Sequence, residues 1–246
     1  MTTIRALSSR AVAGVFLLLA STPASRAFAK SEEPRPVRVS VSDVEASNKK
    51  IGMAYGALMQ WWTSQFDRIG ETFEAPRIVR YNEGGYTACG PIGPSNAIYC
   101  PVNNTIYYDQ VFVAGMQKIA GRAVGTDGDM AAVGIIAHEV GHAVAMQLGY
   151  HSRSSYENES TADCLAGAFA NQAQHDGSLE KGDVEEAVFG MSMAGDPTPQ
   201  STGNRRRDAL IQARLAHSAH GTKEQRMENF REGLAGGAGV CLQDFQ

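Results

Sequence analysis

The stretch His138-Glu139-Val140-Gly141-His142 constrains this chain more than any other. Two histidines four residues apart share a face on an α-helix, where one stands a turn above the other. At that spacing two imidazoles can grip one metal ion at ~2.0–2.1 Å. Glu139 follows the first histidine and would lie beside the ion, placed to take a proton from a bound water. A helix here is supported by the apolar residues Val133, Ile136, Val140 and Val144, with Gly149 as its stop. Gly141 leaves room for a second element to come close.

That second element is expected to begin at Ser154-Ser155-Tyr156-Glu157, a capping-box pattern. The helix it opens would carry Glu159 and Asp163, again four apart on one face, among Ala162, Leu165, Ala166 and Phe169. Two carboxylates at this spacing repel each other, and burying them unpaired is costly. A zinc ion for Glu159 and the ring N–H of a metal-bound histidine for Asp163 would satisfy both. The alternative is an acidic stripe facing water.

The chain has 246 residues, 43% hydrophobic and 20% charged, which excludes collagen-like, low-complexity and largely disordered classes. A net charge of −4 argues against a nucleic-acid partner, because neutralising phosphates needs a basic surface. Residues 1–29 read as a signal peptide: Arg5 and Arg10, an apolar run from Ala11 to Ala20, then Ala27-Phe28-Ala29 as the cleavage pattern. That run is about half of the ~20 residues that span a bilayer, so an uncleaved membrane anchor is the weaker reading. Cleavage after Ala29 removes three arginines and no acid, which moves the net charge from −4 to −7. No stable membrane insertion is expected afterwards, and the location is periplasmic or secreted. All four cysteines lie in the exported part, where disulfides are expected; by count alone they allow three pairings.

Residues 42–69 read as a helix, capped by Ser42 or Asp43 and ended by Gly70. A strand is expected at Ile78–Tyr81. Ala97–Cys100 and Thr105–Tyr108 should form a hairpin around residues 101–104. Helices are expected at about 127–148, 155–175, 181–194, 205–217 and 222–234. Strands early and helices late make an α+β class, with a small N-terminal sheet and a mostly helical C-terminal half in a single domain over 30–246. Attack of a metal-bound water on a carbonyl would also need a donor to the developing oxyanion. His220 is the first candidate and Tyr108 the second.

These motifs, in this order, resemble the neutral zinc metallopeptidases of bacteria, a gluzincin-like family. The resemblance rests on His138–His142 and on Glu159-Ser160-Thr161-Ala162-Asp163-Cys164-Leu165-Ala166-Gly167. It extends to Cys89-Gly90, Tyr99-Cys100-Pro101, Ile106–Asp109, Gly182–Ala187 and His220–Arg226, and so spans most of the exported chain. It implies a zincin-like domain and one zinc ion held by His138, His142 and Glu159. It also implies Glu139 as catalytic base and Asp163 as the partner of a ligand histidine. Among the three pairings it favours Cys89 with Cys100 and Cys164 with Cys241. The substrate would be a peptide or protein, and by analogy with zincins it could pair with Thr105–Tyr108, read as a sheet edge. Two rival readings stand beside this one. The first is a zinc-stabilised binding domain without turnover, and the second a zinc amidase acting on cell-wall peptides.

Overall fold

A computed structural model describes residues 37–196, 201–218 and 220–242, without the side chains of 214–218. The expected signal peptide, 1–29, lies outside the described residues. Helix α1 (Val41–Ile69) starts two residues earlier than Ser42 would place it. Ser40 is its N-cap: its hydroxyl accepts from the Asp43 amide at 3.2 Å, and the Asp43 carboxylate accepts from the Ser40 amide at 2.7 Å. This reciprocal pair satisfies two amides that a helix start leaves open. Gly70, at φ 78°, ends the helix in the left-handed conformation. Ile51, Leu58, Trp62 and Phe66 form its buried stripe.

Five short strands follow: β1 (Arg77–Tyr81), β2 (Gly85–Thr87), β3 (Gly90–Ile92), β4 (Ala97–Cys100) and β5 (Thr105–Asp109). β2 and β3 make a separate hairpin. β4 and β5 are the expected antiparallel hairpin, with Ala97 opposite Tyr108 and Cys100 opposite Thr105. β1 runs parallel to β5, with Arg77 opposite Thr105, so the sheet order is β1-β5-β4. Thr105–Tyr108 is therefore the middle of the sheet and not its edge. Its backbone is taken on both sides, and the edge that faces the helices is β4.

β5 passes directly into α2 (Gln110–Val124), a helix that the residue pattern did not suggest. Asp109 makes the switch, because its carboxylate accepts from the amides of Val111 and Phe112 at 3.0 and 3.3 Å. Then come α3 (Asp129–Gln147), α4 (Ser155–His175), α5 (Asp183–Ala194), α6 (Arg205–Ser218), α7 (Lys223–Gly236) and the short α8 (Ala238–Cys241). The class is α+β, as the residue pattern implied. Among the described residues no helix is long and apolar enough to cross a membrane.

α3 is the centre of this arrangement. It is buried along nearly its whole length and packs against α1, α2, α4, α5 and β4. A helix apolar all round belongs in a core. Each fully buried Val or Ile in it contributes about 1.5–3 kcal/mol relative to exposure. Gly141 sets how near α4 can come, since a Cβ there would lie 2.8 Å from the Ala162 carbonyl oxygen. Gly167 of α4 and Gly233 of α7 do the same for the next crossing: each would drive a Cβ into the other helix's backbone, at Phe230 and Cys164 respectively. α4 is thereby held against α3 on one side and α7 on the other.

Candidate metal centre

α3 presents His138, Glu139 and His142 toward a cleft, and α4 presents Glu159 and Asp163 to the same place. The two Nε2 atoms of His138 and His142 are 3.1 Å apart. His138 Nε2 lies 3.2 Å from Glu159 Oε2, and His142 Nε2 lies 3.6 Å from Glu159 Oε1. Donors bonded to one tetrahedral zinc at ~2.0–2.1 Å stand about 3.3–3.4 Å apart, and the three separations bracket that value. On the far side of the His138 ring, Nδ1 lies 2.8 Å from Asp163 Oδ1. Asp163 is fully buried, and His138 and Glu139 are each 6% exposed.

The charges point the same way. Three carboxyl groups, those of Glu139, Glu159 and Asp163, converge here with the guanidinium of Arg226. Burial and Arg226 push the His138 ring toward its neutral form, but Asp163 and Glu159 outweigh them and raise its pKa to about 10. Such a proton affinity marks strong negative potential at the ring. Burial, then His138, lowers His142 to about 4. Burial would raise Glu159, but His138 and His142 bring it down to about 2. Burial, reinforced by Glu159, raises Glu139 to about 7. Two imidazoles and one carboxylate at these separations fit zinc in donor type and number.

A family model described as "Putative neutral zinc metallopeptidase" matches residues 25–245. The chain belongs to this family.

Among curated relatives of this zinc metallopeptidase family member is the uncharacterized protein YpfJ of Escherichia coli strain K12. It is 34% identical over 197 residues, which cover 72% of this chain and 63% of that protein. The uncharacterized protein Rv2575 of Mycobacterium tuberculosis strain H37Rv is 28% identical over 182 residues, covering 63% of this chain and 57% of that one. The chain thus spans less than two thirds of these relatives' lengths. No solved structure matches it.

In this zinc metallopeptidase family member, the cleft before the ligand set has a volume of about 660 Å³. Edge strand β4 forms one wall through Ile98 and Tyr99, with the Tyr99 backbone close to the Glu139 carboxyl. Phe112, Met116, Ile135 and Met191 line its apolar part. His220 also lines it but is largely exposed, its side chain 66% accessible. The His220 backbone N–H donates to Asp196 Oδ2 at 2.9 Å, which fixes the turn that carries it. Tyr108, the second candidate donor, does not face the cleft. It is buried, and its hydroxyl donates to Asn48 Oδ1 at 2.7 Å. Disulfides join Cys89 to Cys100 at the end of β4 and Cys164, next to Asp163, to Cys241 of α8.

Sequence reasoning gave no role to Arg226, and the structure places it at the centre. It lies in a charge-rich helix start, which reads as solvated. The signal that could have found it is the spacing of Arg226, Phe230 and Gly233, the buried stripe of α7.

Proposed function

We propose that this family member is an exported, zinc-dependent peptidase whose one zinc ion is held by His138, His142 and Glu159. The observation that carries the reading is the meeting of three donors at zinc-ligand spacing beside a buried, unligated Glu139. A zinc ion bound there would act as a Lewis acid on the scissile carbonyl and make water acidic enough to attack near neutral pH. Glu139 takes the proton from the attacking water and passes it to the leaving amine, a task suited to a buried carboxyl beside the ligands. His220, at the rim of the cleft, donates to the oxyanion that forms on the carbonyl. An extended peptide adds as a strand to β4, the free sheet edge at the cleft. The exported chain would begin at Lys30, and two disulfides suit an oxidising compartment.

The experiment uses the protein purified after export, with its N-terminal sequence read. Metal content is measured alongside hydrolysis of extended peptides and of the same peptides blocked by proline. One zinc per chain is expected, with chelator-sensitive cleavage of the extended set only. E139Q should keep its zinc and lose about 10²–10⁴-fold in activity. Full activity in E139Q would remove Glu139 as the base, and zinc without any hydrolysis would favour a binding domain.

A further inference from the structure

Arg226 makes an unusual set of contacts for a residue on a charged helix. Its Nε donates to Asp163 Oδ2 at 2.9 Å and its Nη2 to Asp163 Oδ1 at 2.6 Å. Its Nη1 donates to the carbonyl of Ala194, the last residue of α5, at 3.1 Å. Only 5% of the residue is exposed. The same Nη2 is 3.2 Å from His138 Nδ1 and 3.9 Å from Glu159 Oε2.

The tautomer of His138 decides what these distances mean. If Nε2 offers its lone pair to a ligand, Nδ1 carries the ring proton. A guanidinium N–H cannot donate to a protonated nitrogen. The hydrogens of Nη2 and Nδ1 therefore both aim at Asp163 Oδ1, at 2.6 and 2.8 Å. Arg226 reaches the imidazole through that shared oxygen.

We propose that Arg226 is a positioning residue of the metal centre: its fork fixes both oxygens of Asp163, and Asp163 so fixed sets the tautomer and tilt of His138. This rests on the reading of His138 as a zinc ligand. An aspartate held by one imidazole N–H alone could turn about its terminal torsion, which is broad. A bidentate guanidinium removes that freedom, because each oxygen has its own donor. A lysine could supply the charge but not the fork. The Ala194 carbonyl anchors the guanidinium in turn, at a helix end that leaves carbonyls open to donors and favours a cation. One side chain from α7 thus ties α4 and α5 to the ligand on α3. A strut that merely docked α7 would have no need of the oxygen that orients His138.

The test is zinc affinity, measured by competition with a chromophoric chelator, on R226M, R226K, D163N and the double variant D163N/R226M. Thermal unfolding of the metal-free proteins is followed in parallel. R226M and R226K should each weaken zinc binding about 10–100-fold. In the D163N background R226M should add less than about 2-fold, because its effect runs through that carboxylate. R226K keeps the stem and the charge, so its affinity decides the matter if R226M fails to fold. Wild-type affinity in R226K, additive losses in the double variant, or tighter zinc binding in R226M would each overturn the proposal. A wild-type protein that takes up no zinc would instead refute the ligand set itself.

Discussion

Among the described residues two clusters around α3 bring ligand-type atoms within 4.8 Å of one another, and of these two one has the makings of a metal centre. The first is His138, His142 and Glu159. The second, at the N-terminal end of the helix, is Asp127, Asp129 and Glu186. In the second, Lys50 Nζ stands 2.5 Å from Asp129 and 3.6 Å from Asp127. The Glu186 carboxylate accepts from the amides of Gly128 and Met130 at 3.0 and 2.9 Å, which caps a helix whose N-cap, Gly128, has no side chain to do so. Those charges are met by a cation and by backbone donors. In the first cluster the ring nitrogens face each other and a carboxylate, while the nearby guanidinium is turned to Asp163. Spacing alone therefore does not separate a metal site from a structural one. What separates them is whether the lone pairs already have partners.

The largest expected difference comes from H142A. It removes one of the three proposed ligands, so zinc affinity should fall by more than the ~10–100-fold typical of an outer partner. Competition titration measures it, and an H142A protein that bound zinc as well as wild type would dissolve the distinction. K50M is the counterpart at the other cluster. It should leave zinc content unchanged and cost about 1–2 kcal/mol in denaturant unfolding, because Asp129 loses its cation while Lys50 is partly exposed. Gain of divalent-cation binding by K50M would show that the acidic cluster is a latent site which Lys50 fills.

The two helices of the proposed metal centre were legible because their chemistry fixes their geometry. Histidines four apart, and carboxylates four apart among alanines and leucine, make sense only on helical faces turned to each other. α2 was not legible. Its residues Val111, Phe112 and Val113 continue the strand-like run of Thr105–Tyr108, and Gly115 and Gly121 dilute the helical signal. The change of structure hangs on a single capping side chain, Asp109. The middle position of β5 was hidden for another reason. Its parallel partner β1 lies far upstream, and no local pattern reports such a pairing. Arg226 was hidden because the partner that buries it, Asp163, is on another helix. The face of the site held by short-range spacing could be read, whereas the supports brought in by tertiary packing could not.

The smallest effect probes the acidic end of the comparison by pH. Asp183, the first residue of α5, has its pKa raised to about 6 by burial, with Asp129, Glu186 and Glu180 adding to the rise. In the unfolded chain its value is the ordinary 3.8. Between these two values the folded state holds more protons than the unfolded state, so this residue's contribution to stability falls as pH rises through that window. The penalty is complete above about pH 6 and absent below about 4. D183N removes the charge, and its side-chain oxygen can still accept from the Glu180 amide, now at 2.7 Å from the carboxylate. D183N should therefore be more stable than wild type at pH 7.5 by about 0.5 kcal/mol, after allowance for solvent screening. That advantage should shrink toward zero as the pH is lowered to 4. Parallel unfolding curves at the two pH values check it: an advantage that stayed constant with pH would mean that the negative field of Asp129 and Glu186 at Asp183 is already offset, as by Lys50.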